Sequence, residues 1–349
     1  MTAFGRYFLY RLKSSLWRTV FLTLLSLVFA LSVADDCTSA QTVEYKTTGI
    51  YILALILGVF ATLIPILELS GFKNRRNLDT LYFFPISRGK LALVHYLSGL
   101  AQIFVIYSVS FFSVLAFLAI NTNCFALGYM IAYYALSLIL GLVIYSVIAF
   151  IFTEANTVID GIIFCGLWAL VLFLLIWTVR VEFVRDLIIE TRYWEETSDL
   201  ASWGTLYTPI NNLTVIFQDL IEVNRTGEAA IYDYTAINAA RYMKQMYMFF
   251  IWGGIGIAAA IGYFISFTKR EAQAAGEIST SIFGYRLLIP LYGYMLLLVY
   301  NEIDIMTVVI VALMLVGYII YRRGIRLKRS DVVLTACAII PILFNYFVR

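Results

Sequence analysis

Charge is what this sequence has least of: 13% of its 349 residues are Asp, Glu, Lys or Arg, against 62% apolar. That balance lies far from an ordinary soluble domain and places the chain in a bilayer. A soluble helical core would need polar faces at helical period, which a run such as Tyr51–Leu69, YILALILGVFATLIPILEL, lacks. A net charge of +3 is too small for the dense basic face that phosphate backbones require, so nucleic acid is excluded as a partner. There is one histidine, His95, and the cysteines Cys37, Cys124, Cys165 and Cys337 form no CxxC pair, which argues against a zinc site. Cys37 and Cys124 both fall outside the membrane in the topology below, where a disulfide between them is the less favoured reading.

Catalytic and nucleotide-binding patterns are missing as well. Nothing matches GxxxxGK[ST], so energy from ATP must come from a partner; Gly253, Gly254 and Gly256 in WGGIGI read as points of close helix contact. No Ser/His/Asp set, no HExxH and no paired intramembrane aspartates occur, so the chain is expected to be non-catalytic, with no cofactor or metal of its own. The deep parts of the apolar runs hold almost no ionisable groups. Glu68 and Asp160 sit near one end of their runs and Arg180 near the other, which weakens the reading as an ion-coupled secondary transporter or channel. Pro65 and Pro290 read as packing features of their helices.

What the sequence has in abundance is long apolar runs. Runs of about 17–25 residues cross a hydrocarbon core as helices, and roughly nine segments are expected: Val20–Val33, Ile50–Leu69, Leu91–Ile120, Leu127–Phe152, Val158–Val179, Tyr247–Phe267, Leu287–Tyr300, Ile305–Tyr321 and Val332–Val348. Arg6, Arg11, Lys13 and Arg18 precede a stretch ending in ALSVADD; this resembles a signal peptide but reads as an uncleaved span, because the charged arm is long and further spans follow at once. Lys and Arg concentrate in the N-terminal arm, in the loop after the second segment (Lys73, Arg75, Arg76, Arg88, Lys90) and in the loop before the last (Arg322, Arg323, Arg326, Lys328, Arg329). The positive-inside rule then puts the amino terminus in the cytoplasm and, with an odd number of segments, the carboxyl terminus outside.

The one large polar portion, residues 180–244, falls outside and is rich in acids, with apolar residues at helical spacing around Leu187, Ile188, Val215, Ile216, Leu220 and Ile221. Short helices are expected there. With Trp194 and Trp203 this portion suits a structural cap, an exit gate or a site for a cationic peptide. In the N-terminal arm Phe4, Phe8, Leu12 and Leu16 share one side while Arg6 and Lys13 face away, the pattern of a helix lying in the headgroup region.

Between the second and third segments lies FKNRRNLDTLYFFPISRGK, Phe72–Lys90. Asn77 is a candidate N-cap, after which Leu78, Leu81 and Tyr82 share one side of a short helix; Pro85 breaks it, and Ser87 caps the helix that becomes the third span. A loop that only set topology would need the cations and not the run LDTLYFFPIS. The stretch NRRNLDTLYFFPISRGKLALVHYLSG, Asn74–Gly99, resembles the arginine, Leu-Asp, leucine, Pro-Ile-Ser-Arg and YLSG pattern of ATP-binding-cassette exporter permeases of the ABC type-2 class, particularly those of Gram-positive bacteria. KREAQAAG, Lys269–Gly276, is similar to a second pattern of that class in Arg270, Ala275 and Gly276, with Gln273 where a glutamate is usual; His95 stands at a position that is often basic.

The resemblance covers residues 1–276 in motif order. It implies an all-α polytopic membrane protein, an ABC type-2 transmembrane domain of six core helices with an interfacial N-terminal helix, followed by about three additional C-terminal membrane segments over 277–349. It further implies a plasma-membrane location and a coupling helix that docks on an ATPase subunit, which binds ATP and magnesium. A second permease half, identical or related, and an amphipathic cargo complete the expected partners besides the lipid bilayer. The residues expected to couple to the ATPase are Leu78, Leu81 and Tyr82 for docking, Arg75, Arg76 and Asp79 for orientation, and Pro85 as the break.

Overall fold

The computed structural model describes residues 3–39, 48–74, 86–121, 127–179, 247–269, 281–300 and 305–322, with isolated positions at 213, 276, 277 and 279 and several between 329 and 337. Every regular element among them is helical: α1 (Ala3–Ser39), α2 (Thr48–Leu69) with a 3-10 turn (Ser70–Lys73), α3 (Arg88–Asn121), α4 (Leu127–Glu154), α5 (Val158–Val179), α6 (Tyr247–Lys269), a π-turn (Ile282–Arg286), α7 (Leu287–Tyr300) and α8 (Ile305–Arg322). Five stretches of the described helices are long and apolar enough to cross a membrane: Ala3–Leu31, Leu53–Lys73, Arg88–Phe117, Leu127–Glu154 and Phe249–Lys269. Val158–Val171, Ile282–Leu297 and Ile305–Tyr321 are shorter apolar stretches. The chain is an all-α, multi-span membrane protein.

Expected and observed bounds coincide for Val158–Val179 and Leu287–Tyr300. Ser87 begins the third span by accepting the Leu91 N–H on its carbonyl at 3.0 Å. Most of the expected segment Val332–Val348, the disulfide partner Cys124 and nearly all of 180–244 lie outside the described residues, as do Arg75, Arg76, Leu78, Asp79, Leu81, Tyr82 and Pro85.

The chain divides into two compact units, residues 1–150 with 199–272 and residues 151–198 with 273–349. In the first, α1 packs most extensively on α3, and α2 packs against both. The N-terminal arm is continuous with the first expected span: α1 runs unbroken for 37 residues, about 55 Å at 1.5 Å per residue. Tyr7, Ser15, Leu22, Ser26 and Ala30 are buried, while Leu16, Trp17, Phe21, Leu24 and Val28 are exposed. The buried set recurs at helical spacing and is the more polar one. Lipid chains are as apolar as leucine, so burial of hydrocarbon gives no drive for helix association in a bilayer; close packing and hydrogen bonds between helices do that work, and the large apolar side chains face outward.

The same logic joins α3 to α4. The Tyr107 and Ser137 hydroxyls lie 2.7 Å apart, those of Tyr134 and Ser108 2.6 Å, and those of Tyr96 and Ser146 2.6 Å. Ser26 on α1 meets Ser110 on α3 at 2.7 Å. Gly99 lies against the Tyr145 ring, where a Cβ would fall 2.8 Å from Cζ. The YLSG run therefore brings α3 close to α4: Tyr96 bonds across and Gly99 makes room. Of the glycines in WGGIGI only Gly256 makes the expected close contact, with a Cβ there falling 2.8 Å from Val143 on α4; Gly253 and Gly254 have nothing within 4 Å.

In the second unit α7 packs on α5 and α8. The Tyr292 hydroxyl donates to the Leu167 carbonyl at 2.7 Å, and Tyr318 to the Arg286 carbonyl at 3.1 Å. Gly276 has φ 82°, a left-handed conformation that glycine adopts without a Cβ penalty, and its N–H donates to the Asn156 carbonyl at 3.1 Å.

Candidate functional site

The polar stripe of α1 converges on one carboxylate. Pro65 removes a backbone donor from the last turns of α2, and Glu68 follows one turn later with a side chain that is wholly buried. Arg11 meets Glu68 Oε2 from both Nε at 3.0 Å and Nη2 at 2.9 Å. Arg18 Nη2 bonds Glu68 Oε1 and also donates to Gln102 Oε1 at 2.8 Å. The Gln102 amide in turn donates to Glu68 Oε1 at 2.7 Å.

His95 completes the cluster from α3. Its Nδ1 lies 3.3 Å from Glu68 Oε2 and its Nε2 lies 3.2 Å from the Tyr7 hydroxyl. An ionised carboxylate only accepts, so hydrogen-bond direction assigns the proton to Nδ1 and leaves Nε2 to accept from Tyr7. Phe72, on the 3-10 turn after α2, stacks edge-on against His95 at 4.7 Å and against Phe267 of α6 at 4.9 Å between ring centres, closing the cluster from one side.

Three helices thus meet at one buried anion: α1 supplies Tyr7, Arg11 and Arg18, α2 supplies Glu68, and α3 supplies His95 and Gln102. Two guanidiniums face one carboxylate, and Arg18 Nε is buried without a hydrogen-bond partner among the described residues. Such a constellation is costly to bury and costlier to break: removing one partner of a buried pair leaves an uncompensated charge worth about 3–5 kcal/mol. Its chemical capacity is to lock helices together and to hold charge inside a membrane protein. Among the described residues no group of three or more His, Cys, Asp or Glu side chains is placed to hold a metal ion.

Glu68 lies near the end of α2 as expected, and Arg11 and Arg18 belong to α1, whose Ala3–Leu31 stretch is long and apolar enough to cross a membrane. Gln102 was not singled out in the sequence. The signal that could have found the site is the spacing Tyr7, Arg11, Ser15, Arg18, one helical face carrying both cations, opposite the lone acid of the second apolar run. Glu68 and His95 stand at the two ends that lead into residues 75–85, where the sequence places the docking residues.

Fold and cluster together define a polytopic helical membrane protein with a buried ionic joint. Compared with protein-family models and with curated proteins, the chain matches none.

Proposed function

We propose that the chain is the transmembrane permease subunit of an ATP-driven exporter of the ABC type-2 class, moving a hydrophobic or amphipathic cargo out of the cell. Separately encoded ATPase subunits bind ATP and magnesium, and a second permease half completes the pathway. In this reading the protein lies in the plasma membrane with its amino terminus cytoplasmic and its carboxyl terminus outside.

The observation that carries the reading is the Glu68 joint. Glu68 precedes Arg75 by seven residues and His95 follows Pro85 by ten, and the joint ties α1, α2 and α3 together where the intervening segment leaves and returns. A short docking helix transmits movement only if the helices on either side move with it. Leu78, Leu81 and Tyr82 seat on the ATPase, Arg75, Arg76 and Asp79 orient the contact, and Pro85 keeps the element separate from α3. Closure of the ATPase pair then shifts the joined helices as one body.

The test is to purify the tagged chain gently and to replace Leu81 and Tyr82 with Asp. An ATPase bearing Walker motifs is expected with the wild type and lost, or uncoupled from transport, in the variant. Normal assembly and coupled hydrolysis by the variant would overturn the assignment.

The buried Glu68 and His95 favour one second reading, a secondary transporter, because interior ionisable groups serve ion relays. Cargo movement in proteoliposomes driven by a proton or sodium gradient, without nucleotide or ATPase, would establish it in place of the first.

A further inference from the structure

The unit formed by residues 151–198 and 273–349 contains two neighbouring cavities, here called compartments. One, of about 790 Å³, is lined by Asp160 and Glu277 together with the rings of Tyr285 and Tyr321. The other, of about 270 Å³, runs between α5, α7 and α8 and is lined almost wholly by apolar side chains such as Leu167 and Leu313. Tyr285, Ile289 and Gly317 line both.

The chemistry of the larger compartment is specific. Asp160 stands in the first turn of α5, its N–H donating to the Thr157 hydroxyl at 3.0 Å, so the backbone fixes where the carboxylate begins. The Tyr285 hydroxyl donates to Asp160 Oδ1 at 2.9 Å, and Oδ2 has no partner among the described residues. Tyr285 and Tyr321 bring their ring centres within 5.6 Å of each other. None of the described residues lining either compartment is basic. Carboxylates beside aromatic faces are how proteins recognise ammonium groups, and an apolar slot leading away from them accommodates a hydrocarbon tail.

We propose that the two compartments together bind an amphiphilic organic cation, with its ammonium group at Asp160 and Glu277 against the Tyr285 and Tyr321 rings and its tail passing Ile289 and Gly317 into the apolar compartment. The proposal goes beyond the exporter reading and does not depend on it, because the site belongs to one unit of this chain and needs no ATPase.

The test uses the full-length chain alone in nonionic micelles. The probe is decylammonium carrying a diazirine at the end of its tail, with the equivalent neutral decanol reagent as control. Illumination is expected to label peptides of α5, α7 and α8 with the cation and only weakly with the alcohol. Asp160→Asn with Glu277→Gln is expected to cut that labelling at least about tenfold, and Gly317→Leu to abolish it by filling the junction. Competition on the wild type needs no variant: decyltrimethylammonium should suppress labelling and decyl sulfate should not. Suppression by phosphatidylcholine and not by phosphatidylglycerol would identify the cation as a lipid headgroup; no suppression by either would identify it as a free amphiphile. Equal labelling by cation and alcohol, or equal competition by cation and anion, would reduce the cavity to a lipid-filled groove and overturn the proposal.

Discussion

Glu68 on α2 and Gln102 on α3 share a 2.7 Å hydrogen bond, and the far end of the same Gln102 amide accepts from Arg18 on α1. One neutral side chain therefore bridges an acid and a base that also touch each other. Glu68→Ala removes the anion from this arrangement and leaves Arg11 and Arg18 without their countercharge. The expected cost is about 3–5 kcal/mol of stability, read from unfolding of the purified chain in mixed micelles. The triple variant with Leu at positions 11, 18 and 68 should recover most of that loss, because an apolar replacement of a whole ionic group is often close to neutral. An E68A protein as stable as the wild type would show that the joint holds nothing.

Gly99 admits no side chain while Tyr145 occupies its place. Gly99→Ala should destabilise the α3–α4 pair by about 1–3 kcal/mol through overpacking, and Tyr145→Ala in the same chain should relieve most of the strain. Thermal unfolding of the two single variants and the double variant measures this directly; simple additivity would count against the contact.

The glycines of WGGIGI are expected to differ sharply although they are neighbours. Gly256→Leu forces α6 away from Val143, whereas Gly253→Leu enters open space. Melting temperature should fall clearly for the first and hold for the second. Equal effects would mean that propensity and not packing sets their importance.

Tyr107 and Ser137 allow a direct measurement of what one interhelical hydroxyl pair contributes. Tyr107→Phe and Ser137→Ala should each weaken the fold, with a coupling of about 0.6 kcal/mol in a double-mutant cycle. A coupling indistinguishable from zero would assign the stability of α3 against α4 to packing alone.

Much of the fold was legible because a span announces itself locally. The run Val158–Val179 has a capping threonine before it and an arginine after it, and its bounds need no tertiary information. The joint was not legible in that way. Glu68 is separated from Arg18 by 50 residues and from His95 by 27, and nothing within one helix says which distant charge it will meet. Burial along α1 follows a related rule: the side that turns inward carries Tyr7, Ser15 and Ser26, while Leu16, Trp17 and Phe21 face out, the inverse of what a soluble protein would bury. The same inversion explains why serines such as Ser15, Ser26 and Ser110 are buried although no motif contains them.

The long first helix has a consequence for biosynthesis. Arg11 and Arg18 leave the ribosome ahead of Glu68, and as α1 reaches the bilayer Glu68 has not yet emerged to neutralise them. An isolated helix with two such guanidiniums is a poor substrate for lateral release into lipid. Stable integration of α1 therefore waits for the next helix, so that the first two helices leave the insertion channel as a hairpin with their charges already matched.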